Sequence, residues 1–442
     1  MKEKLITGLI ALAALLTVSG MKCNAEIAGD DAFSNLTWEQ TYEDNLIGPV
    51  GVVQSICATE DYIICIENTA EDEQADVVSA YYKNSVDKDG NPVQQYSLAK
   101  RVNDMNWEHG NGMAYNPNTG EIYVALYTNI DPENRGCLYV MDPETLGCKG
   151  KIKISDDYNI LGIGYKEDTD QYVIQTNADG GYSFKILDSK FQVAEDLGQY
   201  ADTAKGDNFQ DLTVSGDYII NFPLTLNLGI GDYMHAYSIS RRTLAADPVM
   251  NFNFTDVVAD EPESLCETEP GVFLAAVNVT TQDGQRKLRF YKTSIPYYFQ
   301  VNVTAGDNGT VTGSEKVLRG ESFPIKYEAA DGYELSSLVI NGEEADITDS
   351  KEGFTLENVQ QDFEIQASFS KAPPASIQIK KSGIEFGSIH IKFTLARTLA
   401  VIMTACFAAA FYLYLVHVRR ERKRKLLYAR KRRLQIESEV EN

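Results

Sequence analysis

Two residues ahead of five regularly spaced apolar positions, Ile56, Met113, Ile163, Leu212 and Leu265, stand Gln54, Asn111, Leu161, Gln210 and Glu263, so four of the five are polar. Trp107, Glu108 and His109 lie just before Asn111, and Asp211 follows Gln210. Amide and carboxylate oxygens suit hard cations, and with an indole face beside them they suit a sugar. Gln54, Trp107, Glu108, His109, Asn111, Gln210, Asp211 and Glu263 therefore form the candidate binding set. The plainer account is that acidic, Asn-rich loops are solvated turns. Catalysis would need a proton donor and a second carboxylate at fixed separation, as in glycoside hydrolysis. Asp104, Asp211 and Glu263 are the set placed for it, and no catalytic residue is assigned from them.

Little material exists for metal or thiol chemistry. With four histidines and no CxxC pair, a zinc-type site has no ligand set. Asp87 to Asn91 reads as a fragment of a calcium loop, but the other ligands and the closing Glu are missing, so a hairpin turn is expected and no cofactor is assigned. Five cysteines lie between the expected signal peptide and the C-terminal apolar stretch: Cys57, Cys65, Cys137, Cys148 and Cys266. Their odd number argues against a dense disulfide framework. Cys137 and Cys148 fall on consecutive expected strands and could form a cross-strand bridge. Cys57 and Cys266 occupy equivalent repeat positions and read as small buried thiols.

The elements that must carry these residues repeat. The five apolar anchors are separated by 57, 50, 49 and 53 residues, and each is preceded by Ser55, Gly112, Gly162, Asp211 or Ser264. A turn follows each anchor, then β-branched or aromatic runs such as Tyr62 to Ile66, Val77 to Tyr82 and, as a fourth strand, Val93 to Leu98. Four short strands per unit of about 50 residues are the pattern of propeller blades, with small residues where blades crowd the axis. Residues 33–296 are read as a five-bladed β-propeller within an all-β ectodomain; a long β-sandwich is the competing architecture. The fifth unit lacks a fourth strand, which Leu36 to Tyr42 could supply.

The segment HGNGMAYNPNTGEIYVA, His109 to Ala125, resembles blades of bacterial exported propellers. Furanose-cleaving glycosidases also use five blades, but their first-blade Asp has no counterpart near Gln54. From residue 297 the pattern changes to Gly309-Thr310-Val311, Asp331-Gly332-Tyr333-Glu334-Leu335, Val339-Ile340-Asn341-Gly342 and the alternating run Phe363 to Phe369. This order resembles the divergent internalin B-type bacterial repeat, a β-grasp-like module of bacterial surface proteins. The resemblance implies a stalk or spacer at 297–370 and brings no catalytic residue. Residues 371–397, opening with Lys371-Ala372-Pro373-Pro374, read as a juxtamembrane linker.

The ends set the expected location. Residues 1–25 have Lys2 and Lys4, an apolar stretch and a small-residue cleavage site at Ala25, the pattern of a signal peptide. Residues 398–418 are uncharged and long enough for a transmembrane helix, and ten of the fifteen that follow are Lys or Arg. The positive-inside rule puts that basic tail, 419–442, in the cytoplasm and the rest outside the plasma membrane. The formal charge of −24 divides accordingly: residues 26–370 hold 58 acidic and 22 basic side chains, whereas the tail holds four acidic and ten basic. So acidic an exterior excludes nucleic acid as a partner. The expected protein is a single-pass bacterial surface protein whose propeller binds an extracellular glycan or protein, with the basic tail meeting membrane lipid; the alternative is a surface glycosidase or lyase.

Overall fold

A computed structural model of the chain describes residues 26–48, 51–69, 75–127, 131–178, 182–200, 208–224, 232–345, 347, 353–372, 378–380, 383–386, 389–392, 399–400 and 402–420. The expected signal peptide and nearly all of the basic tail lie outside them. Among the described residues the chain is mostly β, with one long helix.

Five four-stranded antiparallel sheets follow one another. The first holds Val52–Ala58, Tyr62–Asn68, Val77–Tyr82 and Leu98–Val102, and the second Gly112–Asn116, Glu121–Ala125, Cys137–Met141 and Cys148–Lys153. The third holds Ile160–Lys166, Gln171–Thr176, Ser183–Leu187 and Val193–Gly198, and the fourth Asn208–Ser215, Tyr218–Leu224, His235–Ser238 and Thr243–Ala246. The fifth takes Val257–Glu269, Val272–Thr281 and Arg286–Ser294, and its fourth strand comes from the N-terminal region, Glu39–Asn45. That strand sits three residues later than the sequence suggested, with Gln40 opposite Tyr291 and Tyr42 opposite Phe290.

Period-two runs of Ile, Val and Tyr form these strands because their branched and aromatic side chains fill both faces of buried sheets. Turns joining first to second strands need left-handed backbone, and Gly120 (φ 68°), Gly216 (φ 55°) and Gly271 (φ 73°) supply it without a Cβ penalty. The expected strand Val93 to Leu98 is not one. The Asp87 turn holds this stretch, Tyr96 takes a positive φ and donates its N–H to the Tyr82 carbonyl, and the strand begins at Leu98.

First strands pack side by side in chain order, and that of the fifth sheet lies against that of the first. Side chains mediate several of these contacts. The Asn278 amide mimics a peptide, accepting from Val53 N–H and donating to Val53 C=O, both at 3.0 Å. Ser55 Oγ donates to Gly110 C=O and Asn111 Nδ2 to Leu161 C=O.

The module from Tyr297 onward belongs to the same compact unit, which comprises the described residues up to Asp331 and Leu335–Phe369. Strand Tyr297–Ala305 runs parallel to Phe363–Lys371, with Val301 opposite Phe363; its first residues pair with Glu26–Ile27 on that same side, and Glu315–Leu318 pairs antiparallel on the other. It does not hang as a free spacer. One apolar core runs from Phe222, Phe273 and Tyr291 in the fourth and fifth sheets, through Phe33 and Trp38, to Phe299, Val301 and Ile365 in the module.

The second unit is separate. In it, part of the expected linker forms a three-stranded antiparallel sheet, Gln378–Lys380, Gly383–Phe386 and Ile389–Lys392. Helix Ile402–Arg420 is long and apolar enough to cross a membrane, 19 residues with none of its apolar window buried.

Candidate functional site

The five first strands run the same way, so each has an N-terminal end, where the candidate binding set lies, and a C-terminal end opposite. One step along from the N-terminal end, Ser55, Gly112, Gly162, Asp211 and Ser264 share a level. Asp211 is fully buried there and ties several sheets together: its carboxylate accepts from Leu212 N–H at 2.7 Å, Met113 N–H at 3.4 Å and Ser264 Oγ at 2.7 Å. Ser264 Oγ in turn accepts from Ile56 N–H at 2.9 Å. The glycines make room, since a Cβ on Gly112 would lie 2.5 Å from Asp211 Oδ1 and 2.9 Å from Gly162 Cα. Burial raises the Asp211 carboxyl well above the usual range, with its hydrogen bonds opposing. Both oxygens of this carboxylate are engaged inside the scaffold.

The other candidates are also enclosed. Trp107 is 0% exposed and packs edge-on against Tyr139, centroids 5.9 Å apart, within an apolar cluster including Met113, Ile122 and Leu146. Its indole cannot offer a face to a ligand, contrary to expectation. Asp76 fixes it there by accepting Trp107 N–H at 2.6 Å; burial pushes the Asp76 carboxyl up to about 6. Glu108 is buried and accepts from Asn134 Nδ2 at 2.7 Å. His109 is half-buried, its ring 5.2 Å from that of Tyr127. Gln54 is buried, and Gln210 donates to Glu261 Oε1 at 3.3 Å. Glu263 accepts from Asn278 Nδ2 at 3.4 Å, while burial and the neighbouring Glu261 carboxylate raise its own carboxyl.

Several buried polar atoms here have no hydrogen-bond partner: Asn111 Oδ1, Glu263 Oε2 and both amide atoms of Gln175 and of Asn221. Gln175 pairs in register with Gly162 and Asn221 with Leu212. Strand alternation puts Gln175 on the face of Val173 and Asn221 on that of Ile219, so both face the core between the third and fourth sheets. Sequence reasoning missed this pair, which sits on second strands while the repeat comparison followed first strands.

The C-terminal ends open into a cavity of about 1370 Å³. Its floor includes Cys57, Gly164 and Val214; the module contributes Tyr297, Gln300, Asn302 and Lys316. Both thiols expected to be buried there, Cys57 and Cys266, are buried and free, and burial raises both. The Cys137–Cys148 bridge does not form. Register pairs Cys137 with Lys153 and Cys148 with Met141, so the thiols stand at opposite ends of their strand pair. Asp87 accepts from Asp89 N–H and Asn91 N–H at 3.0 and 2.8 Å, the hairpin turn expected. Among the described residues no three His, Cys, Asp or Glu side chains converge to hold a metal ion.

No curated protein matches this chain. Among solved structures, the tail fiber of a Staphylococcus aureus phage is similar over 67% of this chain and 74% of its own, at 11% identity and a TM-score of 0.39. A protein of unknown function from Dyadobacter fermentans is similar over 58% of this chain and 99% of its own, at 10% identity and a TM-score of 0.35. Neither superposition reaches 0.5, so neither bears on fold or function. Residues 299–373 match the Divergent InlB B-repeat domain, so the chain carries a bacterial surface-type β repeat beside a C-terminal helix able to span a membrane.

Proposed function

We propose that the chain is a single-pass bacterial surface protein whose five sheets are the blades of a β-propeller, held outside the cell and binding a polar ligand at the N-terminal ends of the first strands. The side-by-side order of those strands, with the fifth against the first, supports the propeller, as does completion of the fifth sheet by Glu39–Asn45. The surface-type repeat and the apolar helix support the location. On this reading residues 1–25 direct export and the basic tail stays inside against anionic lipid.

The unpartnered amides carry the binding assignment. A buried donor or acceptor without a partner costs about 1–3 kcal/mol, and Gln175 and Asn221 have four such atoms at 0% exposure. Such groups call for an occupant that both donates and accepts, an ordered water or the glycan hydroxyl that displaces it. A glycosidase lacks comparable support, because Asp211 is engaged by the scaffold. Full-length protein in nanodiscs, titrated with a panel of neutral oligosaccharides, should bind at least one, and the Gln175→Leu and Asn221→Leu substitutions should each weaken that binding at least tenfold. A panel with no binder, or binding indifferent to both substitutions, would remove the assignment.

A further inference from the structure

The cavity at the C-terminal ends of the first strands is chemically unlike the buried amide region. Eight carboxylates and three lysines line it. All three lysines are already engaged: Lys316 with Glu26, Lys166 with Asp168, and Lys83, whose Nζ donates to Thr59 C=O at 2.5 Å. Asp170 and Asp217 receive hydrogen bonds from neutral groups, Tyr165 Oη at 2.9 Å and Ser238 Oγ at 2.7 Å respectively. Glu269 meets Arg319 at 3.1 Å. Five of the eight, Glu60, Glu167, Asp170, Asp217 and Glu267, thus have no cation in ion-pair range among the described residues, and they come from four different sheets.

We propose that this cavity binds an elongated organic cation carrying several ammonium groups, a polyamine. Three observations select that chemistry. First, the uncompensated charge is negative and spread around the rim. Second, no three carboxylates converge tightly enough for a metal ion, so a point charge fits poorly and a chain of separated charges fits well. Third, Tyr115, Tyr165 and Tyr218 also line the cavity, offering ring faces to methylene groups and ammonium heads. A volume of about 1370 Å³ accommodates such a molecule, which is smaller than the ligands that fill pockets of roughly 300–1,000 Å³. The repeat module then forms one wall of a binding site, with Tyr297 and Gln300 closing the side away from the sheets.

Glu267 supplies an internal reporter. Burial and the Glu167 carboxylate push its carboxyl up to about 7, while the Gly271 N–H at 2.6 Å, Ser215 and the Arg319 guanidinium pull it down. An ammonium group arriving beside Glu267 and Glu167 favours the ionised form, so binding near pH 7 should release protons.

The test is calorimetric titration of full-length protein in neutral-lipid nanodiscs with spermine at near-physiological salt, run near pH 7 in two buffers of different ionisation enthalpy. Saturable binding with buffer-dependent heat is expected, weakened at least tenfold by Glu267→Gln and by Glu60→Gln. Glu60 is exposed, so the second variant keeps the fold. Glu328→Gln and Asp331→Asn, at exposed sites outside the cavity, should leave affinity unchanged. No binding at millimolar spermine overturns the proposal, as does equal weakening by the Glu328 and Asp331 variants, which would mark general attraction to an acidic surface. A tetralysine peptide that binds through Glu267 where spermine does not would also overturn it, assigning the cavity to a peptide. The Gln175 and Asn221 variants should leave spermine binding intact, so the two sites succeed or fail separately.

Discussion

The two ends of the first strands contrast sharply in how they treat charge. At the N-terminal ends, polar groups are buried and mostly fixed by scaffold bonds: Asp211 joins donors of the second, fourth and fifth sheets, and Asn278 bridges fifth sheet to first. At the C-terminal ends the acidic groups stand at the rim of an open cavity, and several keep their charge uncompensated. A polar residue recurring at one repeat position is therefore not evidence of a site by itself. Where first strands crowd together it can equally be the bond that holds neighbouring strands together.

The largest expected effect separates those two roles. Asp211→Ala removes the acceptor for Met113 N–H, Leu212 N–H and Ser264 Oγ at once and leaves a void beside Gly112 and Gly162. Stranding buried donors in this way should lower unfolding free energy by roughly 3–5 kcal/mol. Chemical denaturation of the full-length protein measures it. A loss below about 1 kcal/mol, with ligand binding abolished, would restore Asp211 to the binding set and erase the contrast between the ends.

How far the sequence foretold this arrangement depends on which interaction carried the signal. The five repeats and their small flanking residues were legible because close approach of the first strands excludes side chains: a Cβ on Gly112 or Gly164 would meet an atom at 2.5 or 2.7 Å. The strand from the N-terminal region was legible because the fifth unit lacked a partner. Trp107 misled because a tryptophan in an acidic loop looks exposed, and only the Asp76 bond to its backbone turns it inward. The cavity had a sequence mark that went unread. Ile56, Ile163 and Leu265 are each followed four residues later by a glutamate, Glu60, Glu167 and Glu269, all on the cavity. The module's part in that wall was not legible, since it depends on a core assembled from residues as distant as Phe33 and Ile365. The sheet at 378–392 was hidden by its prolines upstream, although Ile379, Ile384 and Ile391 alternate with polar residues as strands do.

A second, intermediate effect concerns pH. Burial raises carboxyls at both ends: Asp76 to about 6, Glu267 to about 7 and Asp232, beside Asp260, to about 8. Each folded value lies above its unfolded one near 4, so the folded state holds protons that the unfolded chain has released. Their stabilising contribution is complete at low pH and is lost as pH rises through about 6 to 8. The thermal midpoint should therefore fall between about pH 4 and pH 8, most steeply below about pH 6, where all three groups contribute. Asp76→Asn should flatten the acid side of that fall and Glu267→Gln the middle. If spermine occupies the cavity, it should remove the Glu267 contribution and leave that of Asp76. A midpoint that rises over this range would mean that these carboxylates are ionised and well solvated when folded.

The smallest expected effect is the most discriminating for the N-terminal ends. Gln175 and Asn221 are buried even more deeply than Asn278, but the Asn278 amide makes two bonds to Val53 while theirs make none within the protein. If they serve a ligand, replacing both by Leu removes two desolvated amides of nearly the same volume, and stability without ligand should change by less than about 1 kcal/mol or rise slightly. Asn278→Leu breaks a bridge between sheets and leaves Val53 N–H and C=O unpaired, so it should cost about 2–3 kcal/mol. Denaturant midpoints of the two variants, compared with the parent, give the answer. Equal losses would mean that Gln175 and Asn221 also hold the scaffold, through ordered water, and that the N-terminal ends are structural throughout.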